Sequence, residues 1–127
     1  MSPDDKKLYV AESNTKKVQA YRIEGTTLVF EATIKTLPEG DPDGLRTDVD
    51  GRIYVAQNGA QKITRFRRDG SEALSIKTNG AKPSNLTFGG PDGKTVFVTQ
   101  VDGGFIESFR VDVPGREFCK PFNDTPC

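Results

Sequence analysis

Histidine and tryptophan are absent from this sequence, methionine occurs once and cysteine twice. Each scarcity removes a chemistry. Without an imidazole there is no Ser-His-Asp or Cys-His nucleophile and no histidine zinc site, since each needs that ring as base or ligand. A metal held here must take oxygen ligands, which favours calcium or another hard cation. No apolar run approaches the roughly 20 residues that cross a bilayer, and the N-terminus carries no signal-peptide pattern. Net charge is lacking too: 18 Lys and Arg balance 18 Asp and Glu, so no field draws nucleic acid or an anionic membrane surface. Cys119 and Cys127 fall in a short terminal stretch, where a bridge in an oxidising compartment and a free pair are both open.

What is present is turn chemistry. Thirteen glycines and eight prolines punctuate a 127-residue chain that is only 34% hydrophobic. That balance suits one domain of short, half-buried strands better than packed helices. Self-similarity then gives the organisation. "LYVAESNTKKVQAYRI" from Leu8, "IYVAQNGAQKITRFRR" from Ile53 and "VFVTQVDGGFIESFRV" from Val96 are three versions of one unit, starting 45 and 43 residues apart. Each reads as two alternating strands around a small polar turn, a hairpin.

Further short strands are expected at Leu45–Val49 and Asn85–Phe88 before the second and third hairpins, and at Leu28–Ile34 and Ala73–Ile76 after the first and second. Four strands per repeat make a propeller blade. The expected fold is therefore all-β: a β-propeller segment of about three four-stranded blades, at about 1–37, 38–79 and 80–118, followed by an irregular tail at 119–127. The first blade lacks its inner strand and the last its outer one. Three blades leave open edges, so the reading requires more blades or self-association.

Asp-x-Asp-Gly occurs twice, at Asp41–Gly44 and Asp48–Gly51. An intervening strand rises about 3.3 Å per residue and separates Asp43 from Asp50 by roughly 20 Å. Strand parity then places the two acidic pairs on opposite faces, Asp41 and Asp43 ahead of the innermost strand and Asp48 and Asp50 at its far end. An EF-hand over Glu39 to Asp50 fails, because Pro42 interrupts the loop and strand-like "RIYVAQ" follows where a helix is required. Asp50-Gly51 reads as a tight turn. Asp43 enters beside the propeller axis and is the candidate functional carboxylate. Ser84 shares its register in the third repeat; with Asn85 and the turn residue Asn58 it is a candidate for substrate contact.

"PDGLRTDVDGRIYVAQNGAQKITRFRRDG", "KPSNLTFGGPDGKTVFVT" and "SPDDKKLYVAES" together resemble the senescence marker protein (regucalcin), gluconolactonase and sugar lactone lactonase family, over about Ser2 to Pro114. The resemblance implies a six-bladed propeller that hydrolyses sugar lactones with a divalent cation near the axis, calcium first, with zinc or magnesium as alternatives. It implies that Asp43 is a metal ligand and catalytic carboxylate. The family's Asn and Glu ligands would lie upstream of Met1, so the chain matches a C-terminal half with two of three ligands missing and weak or no activity alone. Three blades are also the count for a homodimer that completes a six-bladed ring. The alternatives are a non-catalytic propeller segment that serves binding or assembly, and a truncated reading frame. Location stays open: the terminal cysteines and the sequons at Asn85 and Asn123 point toward export, but a strand following Asn85 makes its sequon accidental.

Overall fold

The structure is a computed structural model that describes residues 1–118. Ten strands form three antiparallel sheets. The first sheet holds β1 (Lys7–Glu12), β2 (Lys17–Glu24) and β3 (Thr27–Thr36). The second, in the order β4-β5-β6-β7, holds β4 (Asp41–Thr47), β5 (Ile53–Asn58), β6 (Lys62–Phe66) and β7 (Glu72–Lys77). The third pairs β8 (Pro83–Gly89), β9 (Thr95–Gln100) and β10 (Ile106–Arg110). The described helix is one 3-10 turn, Arg116–Phe118.

The sheets stack on one another through two apolar clusters. Tyr9, Val18 and Ala20 of the first meet Ile53, Val55 and Phe66 of the second. Tyr54, Ala56 and Ile63 meet Leu86, Val96 and Val98 of the third. Successive side chains of β5 thus serve opposite clusters, as the pleat requires, and Ile53 to Ala56 are all fully buried. This explains why "IYVA" is a continuous apolar run: its strand is covered on both faces. Each large aliphatic side chain so buried contributes about 1.5–3 kcal/mol.

The three hairpin turns share one backbone geometry. Lys16, Gln61 and Gly104 occupy the same repeat position and have φ of 60°, 59° and 59°. Only the third repeat places a glycine there, so the first two hold an L-residue in the left-handed region.

Two expectations are corrected. Asp41 and Asp43 do not precede the inner strand; they lie inside it, because β4 begins at Asp41 rather than Leu45. β8 likewise begins at Pro83, two residues before Asn85. In both cases a proline opens or nearly opens an edge strand, where its missing N–H costs no ladder bond. The Asn85 sequon therefore sits within a strand rather than ahead of one. Cys119, Cys127 and Asn123 lie outside the described residues.

After β10 the chain runs back across the sheets. Gly115 bridges Asp48, and Val49 N donates to Pro114 O at 3.0 Å. Arg116 Nε donates to the Ser2 carbonyl at 3.2 Å, and its guanidinium also binds the Asp5 carboxylate.

Candidate functional site

Acidic residues stand at both ends of β4, Asp41 and Asp43 at its start and Asp48 just past Thr47, and the two ends differ in chemistry. At the first end the ladder with β5 pairs Asp41 with Asn58 and Pro42 with Gln57, then slips to Leu45 with Val55. Asp43 and Gly44 form the resulting bulge, a device that re-aims side chains and is common beside active sites. Asp43 is exposed, and Asn58 Nδ2 donates to its Oδ2 at 3.3 Å. Ser13 Oγ donates to the Pro42 carbonyl at 2.9 Å, fastening the first sheet's turn to the bulge. Asp41 pairs instead with Lys16 Nζ at 3.2 Å, and Glu39 with Lys62 Nζ at 2.5 Å. Of these three carboxylates, Asp43 is the one whose bond among the described residues is to a neutral side-chain amide.

Gly44 explains how the inner strands of two sheets come together. A Cβ added there would lie 2.1 Å from Asn85 Oδ1 and 2.7 Å from Asn85 Cα. Only glycine lets β8 approach so closely. Asn85 is thereby set beside the Asp43 bulge, with Oδ1 accepting from Leu86 N at 2.9 Å. Ser84 Oγ bonds Thr99 Oγ1 at 2.8 Å. The structure thus joins Asp43 with Asn58 directly and brings Asn85 against the adjoining glycine, whereas the hydrogen bonds of Ser84 stay within the third sheet.

One residue escaped the sequence reading. Arg46 is exposed on β4 and lines a cleft of about 200 Å³ together with Asn85, Thr87, Phe97, Thr99 and Ile106. Alternation along the strand was the available signal, since Arg46 lies two residues beyond Gly44 and shares its side.

The other end of β4 is closed. Asp48 is fully buried and accepts hydrogen bonds from Asp50 N at 3.0 Å, Arg52 N at 2.9 Å and Arg52 Nε at 2.8 Å. Burial pushes its carboxyl up, against the bonds to Arg52 that pull it down. Arg65 Nη1 reaches the Tyr54 hydroxyl at 3.0 Å and Asp112 Oδ1 at 2.7 Å. The Arg65 bond holds Asp112 below the usual carboxylate range. Asp48 and Asp112 are each committed to an arginine, so this end does structural work.

The fit of a cation is decided by donor count. Calcium takes six to eight oxygens. Among the described residues no three His, Cys, Asp or Glu side chains converge. The Asp43 carboxylate and the Asn58 amide supply oxygen donors that suit a hard cation, but they fill one side of a coordination sphere and not the whole.

Comparison with known proteins gives three findings. The family described as SMP-30/Gluconolactonase/LRE-like region matches residues 1–102. The chain is 34% identical to diisopropyl-fluorophosphatase of Loligo vulgaris and 31% identical to L-arabinolactonase of Azospirillum brasilense, covering 89% of this chain and 38% of theirs in each case. Its fold superimposes on a calcium-binding protein, regucalcin, of Agrobacterium tumefaciens with a TM-score of 0.77 at 21% identity, over 91% of this chain and 45% of that one. The chain spans less than half the length of these relatives.

Proposed function

Because the chain belongs to the SMP-30/gluconolactonase/LRE-like family, we propose that it forms part of a metal-dependent sugar-lactone hydrolase in which Asp43 is its contributed carboxylate. The observation that carries this reading is the bulge in β4, which leaves an exposed carboxylate held by an amide and, among the described residues, paired with no cation. The likeness to an L-arabinolactonase supports a sugar lactone as the substrate.

On this reading the three sheets are three blades of a six-bladed propeller, which accords with a chain that covers 45% of a regucalcin. Asp43 and Asn58 would hold one side of a divalent cation, and the other ligands come from outside the described residues. An oxygen donor set favours calcium, with magnesium and zinc as the alternatives to test. When bound, the cation supplies positive charge that polarises the lactone carbonyl. The chain's own residues do the rest. Asn58 fixes the Asp43 carboxylate through its Oδ2, leaving the second oxygen to accept a proton from water as that water bonds the carbonyl carbon, and to return it to the ring oxygen as the acyl C–O bond breaks. Asn85, set beside the bulge by Gly44, and Ser84 offer an amide and a hydroxyl to the sugar hydroxyls.

Hydrolysis of an aldonolactone, followed by acid release at constant pH, tests this with and without calcium. With an incomplete coordination sphere, calcium should bind weakly, at the order of 10⁻³ M, and turnover should be low. Asp43→Asn should abolish both calcium binding and turnover while Asp41→Asn changes neither. Turnover that survives Asp43→Asn, or is indifferent to a chelator, sinks the proposal.

A further inference from the structure

Two polar pairs stand at the same repeat positions, and each holds the connection that leads into an inner strand. Gln57 and Thr64 lie two residues from Val55 and Phe66, so alternation turns them toward the first sheet. Both are 1% exposed. Gln57 Nε2 donates to the Glu39 carbonyl at 3.1 Å, and Gln57 Oε1 accepts from the Thr64 hydroxyl. Gln100 and Glu107 are their counterparts in the third repeat and face the second sheet beside Val98 and Phe109. The half-buried Glu107 carboxylate accepts from Asn79 N at 2.9 Å, Gly80 N at 3.0 Å and Gln100 Nε2 at 2.7 Å.

The two holds land on one place with opposite polarity. Pro42 and Pro83 are counterparts in the repeat, and so are Glu39 and Gly80 three residues before them. Glu39 offers a carbonyl to an amide, whereas Gly80 offers an N–H to a carboxylate. Four residues beyond each hold comes a candidate site residue, Asp43 after Glu39 and Ser84 after Gly80. Gln57 acts from a second direction as well, because the next residue, Asn58, donates to Asp43 Oδ2. Both pairs lie between two described sheets. Apolar side chains would fill these joints without directing the connection, since hydrophobic burial is non-directional. A hydrogen bond fixes distance and angle, and a site needs its groups held to within about 0.5 Å.

We propose that Gln57 and Glu107 are positioning residues of the candidate site, Gln57 setting the Asp43 bulge and Glu107 setting Ser84 and Asn85. They divide the work of the site between them. Loosening the Gln57 hold displaces the carboxylate that faces the cation and the water; loosening the Glu107 hold displaces the groups offered to the sugar. The effect on turnover rests on the hydrolase reading, but the hold on each connection does not.

Gln57→Leu removes both bonds at similar volume, and Glu107→Gln turns an amide N–H toward groups that are themselves donors. In amide NMR spectra Gln57→Leu should move the Asp43 signal and leave that of Ser84, while Glu107→Gln should do the reverse and speed hydrogen exchange at Gly80 about tenfold or more. In hydrolysis of an aldonolactone with calcium, Gln57→Leu should weaken calcium binding and lower kcat about tenfold or more at constant KM, whereas Glu107→Gln should raise KM at constant kcat. A merely structural loss would move both amides and both constants together. Should Gln57→Leu not fold, Thr64→Val, which keeps the bond to Glu39, should move the Asp43 amide in the same direction by less. If the unaltered chain neither turns over nor binds calcium, the hydrolase reading fails and the amide signals alone decide the hold. Asp43 and Ser84 amides that move together, unchanged exchange at Gly80 in Glu107→Gln, or kcat and KM that change alike would each overturn the assignment.

Discussion

Asp43 and Asp48 are five residues apart on one short stretch of chain and have opposite fates. Asp43 is exposed with one long bond to an amide, whereas Asp48 is fully buried and accepts three bonds. The acid is the same; the surroundings differ because a bulge opens one end of β4 while Gly115 and Arg52 close the other. An aspartate motif read without its strand cannot tell these roles apart. The difference teaches that one end of β4 is closed by partners while the other leaves its carboxylate open, the end to which we assign the chemistry.

That division can be broken most sharply at Asp48. Asp48→Ala removes the nearest of three carboxylates around the largely buried Arg52 guanidinium, together with the acceptor of two backbone N–H groups, and should cost about 3 kcal/mol, whereas Asp43→Asn, at an exposed position, should stay within about 0.5 kcal/mol. Urea denaturation of both variants checks the contrast, and equal losses would dissolve it. A smaller effect is expected at Gly44, where an added methyl meets Asn85. Gly44→Ala should cost about 1–3 kcal/mol by overpacking and should respond to Asn85→Gly, which removes the obstructing side chain; a double-mutant cycle with no coupling would contradict this.

The smallest effect is a pH signature. Arg65 depresses Asp112, so the ionised pair stabilises the fold above the ordinary carboxylate range near pH 4 and is lost as acid protonates Asp112. Asp92, held below that range by Arg110 at 2.9 and 2.5 Å, acts in the same sense. Asp48 acts in the opposite sense, since its raised pKa means that ionisation costs the fold as pH climbs. Asp112→Asn should lower stability at neutral pH by about 0.5–1 kcal/mol, the scale of a solvent-facing pair, and flatten the decline between pH 5 and pH 2. A melting profile parallel to that of the unchanged protein would refute the assignment.

Much of this was legible in the residues. The three hairpins showed because each repeat pairs alternation with a turn, and strand parity correctly set Asp43 and Asp48 at opposite ends. The inner strands start earlier than expected, at Asp41 and Pro83, because a proline is tolerated on an edge strand, and only sheet topology reveals that these strands sit on edges. Burial of Asp48 was hidden for a related reason: its cover, Gly115, is distant in sequence. The role of Gly44 was hidden likewise, since the side chain it admits belongs to another sheet.

Arg116 grips Ser2, tying the last described turn to the first. Repeat arrays whose units touch only their neighbours can fray from a terminus inward, one unit at a time. A clasp between the segments that flank the first and third sheets couples them beyond nearest neighbours, so these three sheets should melt in a single concerted transition. The same long-range closure spans 114 residues and has to be found by diffusion, which makes slow refolding the kinetic counterpart of that cooperativity.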